Sequence, residues 1–381
     1  MIKWEDIHSS LQVSLITSAI PAKTTGGQIR REDIDDNLVF NVRQLNFPAQ
    51  TSNGRLRWLD LSEDLQDWIY SEMVPIGYGA GTTGGASLTT TKFIVTNTSQ
   101  WNAAKTGNAS KIIIVDGEIA IGNFSTVGSN TTITSTPGSV IDGNIRLNSA
   151  TNIIIKNLNI TNYNADAVDC IGVSASTKVW LTRLYIYNWG DGGADFRDGA
   201  DMCTVDYCKM WQDDLWSHAL ANLMGADDNN PLDPGKLHIT FHHNWWWKNI
   251  TDRMPRVRFG GATYNGNNIG PVHCFNNLYD AFPAGAVIPK VSAYITAAIG
   301  PAEVLSENNY FENGEDCFLS YQTTGGIVED RGSYIDPAVG GTHNTSTGTV
   351  TNEPPYSYVL ETPAEARTNC HNYARAWDGF V

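Results

Sequence analysis

The chain has 381 residues, of which 40 are acidic and 25 basic, so its formal net charge is −15 at pH 7. This balance argues against a protein that binds nucleic acid through a basic surface, because phosphate backbones recruit lysine and arginine. Hydrophobic residues make up 41% of the chain, enough for a large core, and no apolar run reaches the roughly 18 residues of a membrane-spanning helix.

The first 80 residues differ in pattern from the rest of the chain. The sequences RREDIDDN (30–37) and RLRWLDLSEDLQDWIYSEM (55–73) mix charged and apolar residues at helical spacing. The glycine- and threonine-rich stretch at 77–91 is typical of a linker. We therefore predict a short mixed or helical segment at 1–80, with an attachment or capping role, and a main domain at 81–381 with its C-terminal tail packed on it.

From residue 92 onward the pattern predicts strands, because short β-branched apolar runs alternate with Asn, Gly, Asp and Ser. These runs begin at residues 111, 131, 152, 178, 202, 237, 272 and 304. A strand every 20 to 26 residues at first, with no helical pattern between strands, indicates a solenoid. The fold class predicted is all-β, a right-handed parallel β-helix with asparagine ladders at its turns. A β-sandwich is the alternative, but its turn signals recur every 8–12 residues or so.

Two further features concern the cysteines and the N-terminus. The six cysteines are widely spaced and form no C-x-x-C pair, which argues against zinc and favours buried free thiols. The start MIKWEDIHSSLQV places acidic residues where a secretory signal needs a basic region and an apolar stretch. No signal peptide is therefore predicted in this chain.

Three aspartates have the spacing of a metal site. Asp169 lies in NADAVDCIGV, and Asp191 and Asp195 lie in WGDGGADFRDG. Asp169 and Asp191 are 22 residues apart, close to one coil, and residues one coil apart stack about 4.8 Å from each other. Such carboxylates can converge on a hard cation of calcium type. Solvated aspartates in turns would have the same spacing.

Three arginines lie within six residues in the block RMPRVRFG, which begins at Arg253. This concentration of guanidinium groups suits the recognition of anions. On a strand, Arg256 and Arg258 would share one face. The alternative is an exposed strand that pairs with the acidic surface of the protein.

The sequence resembles the pectate lyase and pectin lyase family of parallel β-helix polysaccharide lyases. Blocks in family order include VDGEI (115–119), NIIIKNL (152–158), DGGAD (191–195), ITFHHNWW (239–246), RMPRVRFG (253–260) and PPYSYVLE (354–361). The resemblance covers roughly residues 93–365. It implies a calcium-dependent lyase that cleaves an α-1,4-linked galacturonan, such as pectate, by β-elimination to 4,5-unsaturated products.

The resemblance also implies roles for individual residues. Asp191 and Asp195 match the D-x-x-x-D spacing of the calcium ligands, and Asp169 is similar to the ligand from the preceding coil, with Asp166 as a candidate helper. Arg253 resembles the catalytic base and Arg258 the second active-site arginine. An arginine base is unusual, because arginine keeps its proton up to strongly alkaline pH. Arg256 is expected to bind substrate.

The chain departs from the family pattern at one substrate contact. Many members have a lysine where HALANLMG, which begins at His218, has Leu220. Lys248 is a candidate for the missing positive charge, and His218 and Trp245 are expected to contact substrate. Trp245 opens a run of three tryptophans, whose faces either stack on sugars or alternate into the core.

Two other functions remain open on the sequence. The first is a non-catalytic β-helix module that binds an acidic glycan, as part of a phage tail or adhesion protein. Residues 24–46 resemble the attachment regions of phage tail proteins. The second is a glycoside hydrolase on the same fold, which requires two carboxylates flanking the cleft. A phage depolymerase released by lysis, or a secreted enzyme whose leader is removed, would both act outside the cell.

Overall fold

The computed structural model describes residues 75–85, 90–163, 168–214, 218–227, 230–258, 271–282, 294–320, 326–374 and 376. These residues belong almost entirely to one compact unit, Pro75–Ser135 and Ser139–Ala376. The predicted helical segment up to residue 74, the phage-like stretch at 24–46 and Asp166 all lie outside the described residues. Within the described part of the chain, no helix is long and apolar enough to cross a membrane.

Twenty-three strands, numbered in chain order, pair in parallel within the described residues. The first sheet carries Asp195, Arg256 and Arg258. It consists of β3 (Glu118–Val127), β5 (Val140–Asn148), β7 (Ile171–Ser174), β9 (Ala194–Arg197), β12 (Leu223–Met224), β15 (Arg256–Arg258), β18 (Thr296–Ile299) and β21 (Phe318–Ser320).

The second sheet has longer and more apolar strands. It consists of β1 (Thr91–Val95), β2 (Lys111–Val115), β4 (Thr131–Ser135), β6 (Thr151–Thr161), β8 (Thr177–Tyr187), β10 (Asp201–Asp206), β13 (Ile239–His242), β16 (Val272–Phe275), β19 (Glu303–Glu307) and β22 (Ile327–Arg331).

The third sheet continues from the ends of β6 and β8. Its other strands are β11 (Lys209–Trp211), β14 (Trp245–Trp247), β17 (Leu278–Asp280), β20 (Tyr310–Asn313) and β23 (Tyr334–Ile335). Each coil passes through the three sheets in turn, as β9, β10 and β11 do before β12 begins the next coil. This is a parallel β-helix, with the right hand that parallel crossovers take, and it confirms the predicted fold class.

The four predicted runs from residue 202 onward each cover two strands, one in the second sheet and one in the third, whereas the runs at 152 and 178 are the single long strands β6 and β8, which enter both sheets. The bend between them uses a left-handed residue in coil after coil, with φ of 51° at Arg183, 50° at Tyr207 and 55° at His243. The residue after the bend begins an amide ladder in the later coils. Asn277 Oδ1 accepts from the Asn244 N–H at 2.9 Å, and the next rung repeats this contact.

The core is built from columns of like side chains on successive coils. One column on the second sheet runs through Ile113, Ile133, Ile155, Leu181, Val205, Phe241 and Cys274 in direct register, all fully buried. Each such side chain contributes about 1.5–3 kcal/mol by leaving water. All six cysteines are buried and free, which confirms the expectation drawn from their spacing.

Residues 75–85 lie against the outer face of the second sheet. The Tyr78 N–H donates to Thr240 Oγ1 at 3.1 Å, and the Gly84 N–H donates to Asn152 Oδ1 at 2.9 Å. A β-carbon on Gly84 would lie 2.3 Å from Thr132 Oγ1, so glycine permits this close approach. The start of the stretch expected to be a linker is therefore docked across several coils.

The C-terminal segment also packs on the solenoid. The described residues contain two helices, α1 (Thr98–Ala104) and α2 (Pro363–Tyr373). A capping box at Thr362 begins α2. Cys370 of α2 packs against Leu278 in the third sheet. The Tyr356 hydroxyl lies 2.7 Å from His273 Nδ1 on the second sheet.

The asparagine ladder generates a stability prediction. Replacing Asn277 by alanine removes its bonds to Asn244, Asn309 and the Phe241 carbonyl, all buried. Because buried polar groups then lose their partners, we expect a loss of about 1–3 kcal/mol in the free energy of unfolding. The measurement is urea denaturation. The exposed Asn352→Ala serves as the control, and an Asn277→Ala protein as stable as that control would contradict the account.

Candidate active site

The outer face of the first sheet carries two columns of candidate residues. Phe196 pairs with Met224 and Met224 with Val257, and all three are fully buried in the core. Because side chains alternate along a strand, their neighbours point outward. The outward positions on these three coils are Asp195, Leu223 and Arg256 in one column and Arg197, Gly225 and Arg258 in the other.

Asp169 and Asp191 lie side by side in the turns that lead into β7 and β9. The Asp191 N–H donates to the Val168 carbonyl at 3.2 Å, and the Cys170 N–H donates to the Gly192 carbonyl at 2.9 Å. These two bonds bracket the aspartates and place them on adjacent coils, as their 22-residue spacing predicts.

The carboxylates differ in exposure and in partners. Asp169 and Asp195 are each 2% exposed, whereas the Asp191 side chain is 30% exposed. Asp169 Oδ1 accepts the Gly192 N–H at 3.1 Å, and Asp195 Oδ1 accepts the Leu223 N–H at 2.9 Å. A β-carbon at Gly192 would lie 2.4 Å from Asp195 Oδ1, so glycine leaves the space that this carboxylate occupies.

The three carboxylates repel one another. Burial raises the pKa of the Asp169 carboxyl to about 6, and the charge of Asp191 adds to the rise while Arg197 opposes it. Burial also raises the pKa of Asp195 well above its usual range, and Asp169 adds to that rise. Arg253 lowers the pKa of both buried carboxyls, so its guanidinium acts on the same cluster.

The carboxylates of Asp169, Asp191 and Asp195 suit calcium, but as arranged in this structure they do not form a complete coordination shell. Carboxylate oxygens from adjacent coils are the ligands that calcium prefers. Among the residues that the structure describes, no three His, Cys, Asp or Glu side chains are placed to hold a metal ion. Arg197 Nη2 lies 3.1 Å from Asp169 Oδ2, so this carboxylate is paired with a guanidinium.

The backbone fixes Arg253 beside these carboxylates. Its φ of 64° lies in the left-handed region, as at many other turns of this solenoid. Its carbonyl accepts the Asn222 N–H at 2.6 Å, and the Met254 N–H donates to the Ile295 carbonyl at 2.7 Å. Its Nε is buried, and the described residues offer this atom no hydrogen-bond partner.

His218 lies at the edge of this cluster, and Arg256 and Arg258 lie on β15. Arg256 and Arg258 both point outward from β15, on either side of the buried Val257, as the strand period predicts. His218 is half exposed, and its Nε2 lies 4.0 Å from Asp191 Oδ1. The structure thus brings His218 next to the carboxylates and leaves Arg256 and Arg258 on the accessible side.

Leu220 occupies the coil between the carboxylates and Arg253. It forms parallel bridges to Gly192 on one side and to Asp252 on the other, and it is 1% exposed. A buried leucine cannot bind a substrate carboxylate. The contact made by the lysine of the family pattern is therefore absent at this position.

Lys248 and Trp245 have their contacts elsewhere. Lys248 Nζ lies 3.1 Å from Asp213 Oδ1 and packs over the ring of Trp247. Trp245 packs against His371 of α2 and under Lys209. None of these contacts joins either residue to Asp169, Asp191 or Asp195. Trp246, the middle member of the tryptophan run, is fully buried in the core.

Arg197 is the site residue that the sequence analysis missed. It pairs with Asp169, and it follows Asp195 by two positions on β9, so both point to the same side. The strand period could have identified it once β9 was recognised. The short strand ADFR carries too weak a pattern for that.

Comparisons with known proteins identify the family. The sequence profile described as pectate lyase matches residues 75–377. Pectate lyase B of Colletotrichum gloeosporioides is 31% identical over 295 residues, which cover 75% of this chain and 80% of that protein. Pectate lyase A of Emericella nidulans is 33% identical over 248 residues, covering 62% and 67%. The match begins at residue 75, so the proposed role of residues 1–74 and their phage-like stretch stay predictions.

Solved structures share the fold. A mutant of the Bacillus subtilis pectate lyase superposes with a TM-score of 0.64 at 20% identity, over 79% of this chain and 96% of that one. A pectate lyase bound to a hexasaccharide superposes with a TM-score of 0.63 at the same coverage. The chain therefore belongs to the pectate lyase family, polysaccharide lyases built here on a right-handed parallel β-helix.

Proposed function

We propose that this enzyme is a calcium-dependent pectate lyase that cleaves α-1,4-linked galacturonan by β-elimination and leaves a 4,5-unsaturated sugar at the new non-reducing end. The observation that carries the proposal is the position of Arg253. Its guanidinium acts on two buried carboxylates, Asp169 and Asp195, from a backbone conformation that the fold imposes. A base is thus held beside a cluster with the donor chemistry for calcium.

The reaction begins at C5 of a uronate, where the hydrogen lies next to a carboxylate. Calcium held by Asp169, Asp191 and Asp195 would offset the charge of that carboxylate and make the C5 hydrogen more acidic. Arg253 must first lose its own proton to solvent, which a nearby calcium would favour because like charges repel. In this neutral form Arg253 accepts the C5 proton as the base. The electron pair of the C5–H bond forms the C4–C5 double bond, and the C4–O bond breaks. The departing oxygen takes a proton from solvent, and no water is added to the sugar.

The remaining polar groups bind the polymer. Arg256 and Arg258 present guanidiniums on the accessible side of β15, where they can pair with uronate carboxylates. His218 lies at the edge of the cluster beside Asp191 and can donate to a sugar hydroxyl. Since Leu220 carries no charge, we infer that Arg256 and Arg258 supply the positive charge for the substrate, with Lys248 and Trp245 in a minor role at most.

The partner is thus an acidic polysaccharide, and the enzyme acts outside the cell. A polymer of this kind is too large to enter a cell before it is cut. The net charge of −15 would repel such a polymer over most of the surface. The polymer is therefore expected to bind only where the positive charges of the arginines and of bound calcium offset this repulsion.

The first functional prediction concerns Arg253→Lys. Lysine keeps the positive charge but loses the planar donor array and its placement. We expect turnover at saturating substrate to fall at least about a hundredfold, because a positioned base contributes that much or more. The measurement is the ultraviolet absorbance of the unsaturated product formed from polygalacturonate.

The matched control for this change is Arg367→Lys, on α2 where it pairs with Glu312. This variant should turn over like the wild type. Calorimetry should show that Arg253→Lys still binds calcium. Saturated turnover of Arg253→Lys equal to that of the control would remove Arg253 from the role of base.

The second functional prediction concerns the metal. Asp191→Asn removes one of three negative charges from the cluster, so calcium affinity should fall by roughly tenfold or more. Activity at limiting calcium should fall with it, and added calcium should restore part of it. Isothermal titration of calcium measures the affinity. Asp336→Asn, in the segment after β23, makes the same chemical change away from the cluster and should leave calcium binding as in the wild type.

An unchanged calcium affinity in Asp191→Asn would place the metal elsewhere. Full activity of the wild-type enzyme in excess chelator would refute calcium dependence altogether. If the wild type forms no unsaturated ends on any uronate polymer, yet binds the polymer, the protein is a binding module instead of an enzyme.

A further inference from the structure

Asp169 and Arg197 form an ion pair within the proposed calcium site. Arg197 Nη2 lies 3.1 Å from Asp169 Oδ2. The carboxylate is almost fully buried, with its side chain 3% exposed, whereas 36% of the arginine side chain is exposed. The pair therefore joins a fixed, buried acceptor to a long side chain that water can reach.

The surroundings allow the arginine to leave. Gly172, on the preceding coil, faces the pair, and a β-carbon there would contact both Arg197 Nη2 and Asp169 Oδ2 at 3.4 Å. Because Gly172 has no side chain, neither Arg197 Nη2 nor Asp169 Oδ2 is covered from this side. Because water screens a partly exposed pair and can hydrate the guanidinium, the contact can be exchanged for a stronger one.

The charges of the cluster favour such an exchange. Three carboxylates, Asp169, Asp191 and Asp195, face two guanidiniums, those of Arg197 and Arg253. With Arg197 on Asp169, these five groups carry a formal net charge of −1. A divalent cation added without displacing Arg197 would make it positive and would find one oxygen of Asp169 already taken.

We propose that Arg197 is a positioning residue that pairs with Asp169 in the absence of calcium and releases it when calcium binds. Arg197 thereby sets the calcium concentration at which the site assembles. This inference rests on the proposed function, since it takes calcium as the cation. In this role the guanidinium of Arg197 competes with calcium for Asp169 and so weakens calcium binding.

The test is isothermal titration of calcium alone into wild type and Arg197→Met. Methionine keeps part of the apolar stem and removes the guanidinium. Because the competitor for Asp169 is gone, calcium should bind Arg197→Met about five- to tenfold more tightly than wild type. Arg367→Met makes the same change on α2 and should bind calcium like wild type. Equal or weaker binding by Arg197→Met would overturn the proposal, because an arginine that only braces Asp169 would help the metal.

A second measurement uses no calcium. In excess chelator, Arg197→Met leaves the buried Asp169 without its counter-ion, so its thermal midpoint should fall below that of wild type. The double variant Asp169→Asn with Arg197→Met removes the stranded charge and should recover most of the loss. No loss of stability in Arg197→Met would mean that the ion pair does not hold Asp169, and would also overturn the proposal.

The two proposals fail in different ways. A wild-type protein that binds no calcium would refute the metal part of the proposed function and the exchange together. A wild type that binds calcium, with no tighter binding by Arg197→Met, would refute the exchange and leave the proposed function standing.

Discussion

The parallel register of the coils is the constraint on which the rest of the structure depends. Strands that pair in register bring equivalent residues within about 4.8 Å of each other on successive coils. This register stacks apolar side chains on one another in the core, as in the column from Ile113 to Cys274. It also stacks asparagine side chains, so that the Asn244 N–H donates to Asn277 Oδ1 and the Asn277 N–H donates to Asn309 Oδ1.

Carboxylates in the same arrangement are brought close to others of the same charge. The turns before β7 and β9 place Asp169 beside Asp191, and β9 adds Asp195 nearby. Burial and mutual repulsion raise the pKa of Asp169 and of Asp195. The fold offsets this cost with Arg197 and Arg253, and in the proposed mechanism with calcium. The same register that stabilises the core thus concentrates charge where the chemistry needs it.

Much of the fold could be predicted from the sequence, because the second sheet has long, apolar strands. NIIIKNLNI and KVWLTRLYIY carry their pattern through both the second and third sheets, so each was found as one run. The first sheet was largely missed. Its strands at the site have only two to four residues, as in LM and TAAI, and such short segments carry little periodicity. RVR was recognised through its arginines.

The site was predicted in part for the same reason. Asp169, Asp191 and Arg253 follow from coil spacing and from the family blocks, and the structure brings them together. The ion pair of Arg197 could not be predicted, since it depends on which face of the unrecognised β9 points outward. Contacts of Lys248 and Trp245 depend on α2 and on the turn at Asp213, which lie far from them in sequence or carry no pattern.

In the proposed mechanism this enzyme breaks the polymer by elimination, with Arg253 as the base, and not by hydrolysis. The most direct measurement is mass spectrometry of the oligosaccharides released from polygalacturonate in water enriched in heavy oxygen, with calcium present. Elimination predicts products with an unsaturated end and no heavy oxygen introduced by the cleavage. One heavy oxygen per cleaved bond, with saturated ends, would contradict the account and indicate a hydrolase.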